Sequence, residues 1–248
     1  VKHLLQHVAN RFCVDLSAIF AYGCSNGGMF VHHLARRLPE HFRAVAADCG
    51  GKPHQGYERN FTRSGPPVSM LLLQGLSDQT IPRHRPRSTS WWDGYIYASD
   101  AAVVEAYKDY NRCPNDSPRT LEPPRKVDSQ ALSCMEYGYD CLGGTTVAEC
   151  LFEGGHDLIL GLGANSIMDG PELSWYFFCK QMARDGLICA LPQGSESPGA
   201  DLRIIIPSVL AVLALIILPL SLLLCSPRCS RLLGRDGHGC MEVAGPPS

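Results

Sequence analysis

Three residues carry the chemistry that this sequence advertises. Ser25 stands in Gly23-Cys24-Ser25-Asn26-Gly27, Asp78 in Gly75-Leu76-Ser77-Asp78-Gln79-Thr80-Ile81-Pro82, and His156 in Glu153-Gly154-Gly155-His156. A serine hydroxyl is a poor nucleophile at neutral pH until a base within hydrogen-bond reach takes its proton. His156 is the candidate base and would later protonate a leaving group. Asp78 is the candidate acid that fixes the imidazole tautomer and stabilises the imidazolium. The backbone N–H of Asn26 is a candidate oxyanion donor, since it opens the helix that follows the serine. Such a set performs acyl transfer. Gly23 and Gly27 suit a sharp strand-to-helix turn that lifts the serine out of a sheet, where backbone crowding leaves little room for a Cβ.

The elements needed to place these residues can be read from the pattern. An apolar run, Ala18 to Tyr22, reads as a strand before the serine, and Asn26 to Leu38 as the helix after it, stopped by Pro39. Residues 1–12 read as a preceding helix with Leu4, Leu5, Val8 and Phe12 on its buried side. Ala44–Ala47, Val68–Gln74 and Thr145–Phe152 read as further strands, Ala101–Tyr110 and Pro171–Ala183 as helices, and Asn111–Asp140 as irregular. This alternation implies an α/β fold with a mostly parallel sheet and helices on both faces. Ser25, Asp78 and His156 each follow a strand by a few residues, at the carboxyl ends where such sheets gather their chemistry. Their chain order, Ser…Asp…His, is that of the α/β-hydrolase fold.

Each residue has a structural competitor. Ser25 also suits a helix N-cap, and Asp78 a turn ahead of Pro82. Asp48, directly after the strand Ala44–Ala47, rivals Asp78 as the acid, and His54 and His84 are alternatives to His156 with a poorer place in the order. Trp91 and Trp92 are candidate substrate-binding residues at the mouth of the site, or a loop's anchor on the core.

Gly23-Cys-Ser-Asn-Gly-Gly-Met29, Gly75-Leu-Ser-Asp-Gln-Thr-Ile-Pro82 and Gly154-Gly-His156 resemble the matching motifs of the polyhydroxybutyrate depolymerase/feruloyl esterase family. Cys13-Val14-Asp15 also resembles the fungal feruloyl esterases. The resemblance covers residues 1 to 185 and implies a secreted serine esterase with Ser25, Asp78 and His156 as its triad. It also implies that the chain corresponds to the second part of that family's catalytic domain, without the amino-terminal strands and the oxyanion loop. One further departure stands after the histidine, where Asp157-Leu158-Ile159 replaces the family's tryptophan-proline pair.

Composition frames this reading. In 248 residues a full hydrophobic core can form, and a formal charge of −2 without a basic run gives no footprint for nucleic acid. Val1 opens a stretch that reads as mid-domain helix, which suggests a piece of a longer protein. Of twelve cysteines, nine precede residue 200, with no C-x-x-C pair or zinc spacing among them. No metal and no cofactor is therefore expected, and disulfides in an oxidising compartment fit better. The sequon Asn60-Phe61-Thr62 agrees as a candidate glycosylation site. Cys24 reads as a small packed hydrophobe. Cys13 and Cys49 lie at opposite ends of neighbouring parallel strands, about 17 Å apart, too far to pair. At least one bridge is expected among Cys113, Cys134, Cys141 and Cys150.

Ile204 to Cys225 is an uncharged run of 22 residues, about 33 Å as a helix and enough to cross a bilayer. Arg228, Arg231 and Arg235 follow it, which puts the tail in the cytoplasm and the body outside or in a lumen. The expected organisation is a hydrolase domain over residues 1–192, a Pro/Ser/Gly linker over 193–203, a transmembrane helix over 204–225 and a tail over 226–248. The functional expectation is a membrane-anchored serine ester hydrolase acting on a small or polymeric ester. A catalytically inactive hydrolase-fold ectodomain that binds a partner, and a serine peptidase of the same fold, are the alternatives.

Overall fold

The computed structural model describes residues 1–54, 61, 65–84, 96–114, 116–122, 132–156, 170–184 and 186. Asn60, Trp91, Trp92, Asp157–Ile159 and the apolar run 204–225 lie outside these residues, as do the linker and the tail. Among the described residues no helix is long and apolar enough to cross a membrane. Val1–Cys13 separates from a compact unit that spans Val14–Gln193.

Within the larger unit, β1 (Phe20–Cys24), β2 (Ala44–Asp48), β3 (Ser69–Gly75), β4 (Arg119–Thr120), β5 (Leu132–Gly138) and β6 (Val147–Phe152) form one sheet. Its order is β1-β2-β3-β6-β5-β4. The first four strands in that order are parallel, and β5 and β4 continue it through antiparallel pairings, β6 with β5 and β5 with β4. Every residue of β2 and β3 is buried. Ala-Val-Ala-Ala and Met-Leu-Leu-Leu are the continuous apolar runs that a strand covered on both faces requires. At the edge, β1 is only half-buried along its length.

Successive side chains of each strand point to opposite faces, so the two halves of these runs meet different helices. Ala44, Ala46, Leu71, Leu73, Ala148 and Cys150 pack with Leu173, Phe177 and Phe178 of α4 (Gly170–Ala183). Burying a Leu or Phe of this kind contributes roughly 1.5–3 kcal/mol. Phe20 of β1 stacks on Phe178 at 4.7 Å between ring centres. The opposite face carries α2 (Asn26–Arg37) and α3 (Asp100–Tyr110), which meet where His32 Nδ1 lies 3.0 Å from the Tyr107 hydroxyl. Burial, and then the Arg36 charge, holds the His32 ring down at about 3, so it packs as a neutral group.

The expected α/β class stands, as a mixed sheet that is mostly parallel. Two local expectations are corrected. The stretch expected to be irregular contains β4 and β5. β5 alternates inward and outward, but its inward set, Leu132, Cys134 and Glu136, includes a carboxylate that disguises the period. Glu136 tolerates burial because Arg119 Nε donates to it at 2.5 Å and Lys180 approaches at 3.7 Å. The helix expected over residues 1–12 is α1 (Lys2–Ala9), and it has no buried residue: Leu4 and Phe12 stay exposed. On α2 the buried stripe is Val31, Leu34 and Ala35, while Phe30 faces outward.

The cysteines bring a further correction. Cys24 is not a lone packed hydrophobe but is bridged to Cys49, with 5.0 Å between Cα atoms. Parallel pairing sets Cys24 beside Asp48, so both cysteines leave the same end of the sheet. Cys113–Cys141 and Cys134–Cys150 are also bridged, which bears out the expectation for that group.

Candidate active site

The site is built at the carboxyl ends of β1, β3 and β6. Ser25 sits between β1 and α2 at φ 52°, in the left-handed region that side chains other than glycine seldom adopt. Several contacts impose that backbone. Ser25 N donates to Asp48 O at 2.9 Å, Met29 N donates to Ser25 O at 3.0 Å, and the Cys24–Cys49 bridge ties the turn to the end of β2. Small residues are needed where chains close up. A Cβ on Gly23 would lie 2.4 Å from the carbonyl of Gly27, and one on Gly28 would lie 2.7 Å from Gly51 Cα. Gly27 itself has open space around a Cβ position. The crowded pair is therefore Gly23 and Gly28, and Gly27 matters through its backbone.

His156 follows β6 by four residues. Its Nδ1 is 2.9 Å from Asp78 Oδ2, and its Nε2 is 3.0 Å from Ser25 Oγ. A carboxylate can only accept, so Nδ1 carries the proton and Nε2 is left to accept from the serine hydroxyl. The histidine side chain keeps 24% of its surface while that of Asp78 has none. The carboxylate is sealed and the imidazole is part-exposed.

Asp78 does two jobs. Oδ1 accepts from the amides of Thr80 and Ile81, each at 2.8 Å, which is the turn that the sequence suggested as a competing role. Oδ2 remains for His156, with Gln74 Nε2 as a second donor at 3.3 Å. Gly50 passes so close that a Cβ there would lie 2.7 Å from Oδ2.

The other candidates resolve in the same geometry. Ser25 makes no side-chain cap to α2, so its hydroxyl is not used as an N-cap. Asp48 is fully buried and accepts from the Tyr22 hydroxyl at 2.8 Å and from Cys49 N at 2.7 Å, a structural role beneath the turn. His54 and His84 are exposed, and His54 bridges to Tyr97. Asn26 begins α2 on the exposed side, where its N–H is available at a helix N-terminus. Among the described residues no group of three or more His, Cys, Asp or Glu side chains could hold a metal ion.

Reading the sequence missed two parts of this site. The first is Cys49, although the strand-end argument that separates it from Cys13 also puts it beside Cys24. The second is Lys52, a lysine with a fully buried side chain just beyond Cys49, for which no motif exists.

A hydrogen-bonded Ser–His–carboxylate relay, with a helix N-terminus beside the serine, can take a proton from the hydroxyl as it attacks a carbonyl carbon. No family model matches the chain. It is 27% identical over 178 residues to a probable feruloyl esterase C of Aspergillus niger, an alignment covering 72% of this chain and 56% of that protein. It is 26% identical over 184 residues to a probable feruloyl esterase C of Aspergillus flavus, with the same two coverages. The chain thus spans about half the length of the curated relatives it matches, and at these identities its similarity is to fungal proteins described as esterases.

Proposed function

We propose that the chain is the nucleophile-bearing part of an α/β-hydrolase that cleaves carboxylic esters through an acyl-serine intermediate. The observation that carries this reading is the continuous relay from Asp78 through His156 to Ser25. In the forward step Ser25 Oγ bonds to the ester carbonyl carbon while His156 Nε2 takes the hydroxyl proton. The carbonyl oxygen becomes an oxyanion, and Asn26 N–H donates to it. Collapse expels the alcohol, which leaves with the proton from His156. Water then attacks the acyl-serine by the same route, releasing the acid and restoring the serine.

The similarity to probable feruloyl esterases supports an ester over a peptide, and a hydroxycinnamoyl ester as the first acyl group to test. The sequon at Asn60, the disulfides and the apolar run 204–225 support a domain held outside the cytoplasm by a single membrane span. Deleting residues 204–225 should then release the protein from membranes without detergent.

The experiment for the activity is labelling of the full chain with a fluorophosphonate probe. Covalent labelling that disappears in Ser25→Ala is expected. A folded chain that ignores the probe, or labels equally after Ser25→Ala, removes the enzyme and leaves a partner-binding hydrolase-like fold. Peptide turnover without ester turnover would transfer the same relay to a peptidase.

A further inference from the structure

Behind the relay lies a cluster of four ionisable side chains that the proposed chemistry does not use. Lys52 is fully buried; its Nζ donates to Asp100 Oδ1 at 2.6 Å and to the carbonyl of Pro82 at 2.8 Å. Arg83 Nε donates to the other oxygen of Asp100 at 2.8 Å, and Asp100 N donates to Arg83 O at 3.2 Å. Arg83 also approaches Glu149 Oε1 at 3.6 Å, and the Tyr137 hydroxyl donates to Glu149 Oε2 at 3.2 Å. Two basic and two acidic side chains thus join the exit of β2, the loop after β3, the start of α3, and strands β5 and β6.

Such a cluster is a poor way to stabilise a core, because desolvating each ion consumes much of what pairing returns. Burial indeed pushes the Lys52 ammonium down from its ordinary range, against the pull of Asp100 and, more weakly, of Asp78. What the cluster does provide is position. Pro82 and Arg83 lie in the loop that follows Gly75, and both are held by backbone and side-chain bonds to Lys52 and Asp100. That loop presents the Thr80 and Ile81 amides that hold Asp78 Oδ1, and so aim Oδ2 at His156.

We infer that Lys52, with its buried partner Asp100, is a positioning residue for the relay: it pins the Pro82–Arg83 stretch of the loop so that Asp78 meets His156. Lys52 touches no reacting atom and acts on the relay through the loop. This rests on the esterase reading for its kinetic consequence, but not for its structural one.

The test uses the full chain as wild type, Lys52→Met and Asp100→Asn, the last because it keeps the size of the side chain if Lys52→Met does not fold. Fluorophosphonate labelling is measured as a function of probe concentration and normalised to the folded fraction. Amide hydrogen exchange is followed at Thr80 and Ile81. The expected result is a fall in the maximal labelling rate on the order of 100-fold, as for a reacting group displaced by about 1 Å, with the half-saturating probe concentration unchanged. Faster exchange at Thr80 and Ile81 than at amides of β3 should accompany it. A variant that labels at the wild-type rate per folded molecule, with both amides still protected, overturns the inference. If wild type itself does not label, the esterase reading fails; the exchange measurement alone then decides whether Lys52 holds the loop.

Discussion

Removing the Cys24–Cys49 bridge separates stability from chemistry in this protein. The bridge closes a chain segment of 25 residues, so the loop-entropy relation assigns it about 3.5 kcal/mol. The same relation gives about 3.1 kcal/mol for Cys134–Cys150, which closes 16 residues between the directly paired strands β5 and β6. The two double variants, Cys24→Ala/Cys49→Ala and Cys134→Ala/Cys150→Ala, should therefore lose similar stability in urea unfolding. Their chemistry should differ. Cys24 precedes the strained Ser25, and Cys49 follows the residue whose carbonyl holds Ser25 N, so the first bridge clamps the turn from both sides. Without it the left-handed backbone at Ser25 is held by hydrogen bonds alone, and strain of about 1–3 kcal/mol is free to relax. Fluorophosphonate labelling per folded molecule should fall about 10-fold or more in the first variant and stay at the wild-type level in the second. Equal labelling in both would refute the argument that the bridge holds Ser25 in place.

Other outcomes follow from the same geometry. Asp78→Asn should retain the fold and reduce labelling by about 10⁴, because an amide can present its NH₂ to Nδ1 and select the wrong tautomer. Gly28→Ala should destabilise the fold by about 1–3 kcal/mol, since its Cβ would fall 2.7 Å from Gly51 Cα; Gly27→Ala has open space and should be tolerated in thermal unfolding. Two buried groups should tilt stability with pH in opposite directions. Burial, then the Asp100 carboxylate, raises Glu149 to about 7, so the folded state holds a proton that the unfolded chain has released, and this stability is lost as pH rises from about 4.5 to 7. Burial and Arg36 hold His32 down at about 3, so its contribution is lost as pH falls below 6.5. In urea unfolding between pH 4.5 and 6.5, Glu149→Gln should shift the slope of stability against pH upward and His32→Gln should shift it downward; a profile unchanged by both substitutions would contradict these assignments.

Most of the site could be read without coordinates because its determinants are local. A strand, a glycine turn and a helix are encoded within a dozen residues around Ser25, and the predicted bounds of α2, Asn26 to Leu38, differ from the observed ones by a single residue. Asp78 and His156 each follow a buried apolar run by a few residues, so topology alone brings them to one end of the sheet. β5 escaped because Glu136 occupies an inward position, and its partners Arg119 and Lys180 are distant in the chain. The apolar stripe expected to bury α1 is a pattern that needs a partner surface, and periodicity does not supply one.

The order of the elements, the α/β class and the three relay candidates therefore belong to the sequence, because periodicity and turn chemistry act over short stretches. Which aspartate serves the histidine was a tertiary decision: Asp48 and Asp78 both end buried strands, and only the loop after β3 delivers its carboxylate to His156 while Asp48 turns to Tyr22. The Cys24–Cys49 bridge and the buried Lys52 cluster were decided there too. Both depend on which strand ends are neighbours, and that is set by the packing of the whole sheet rather than by any run of residues within it.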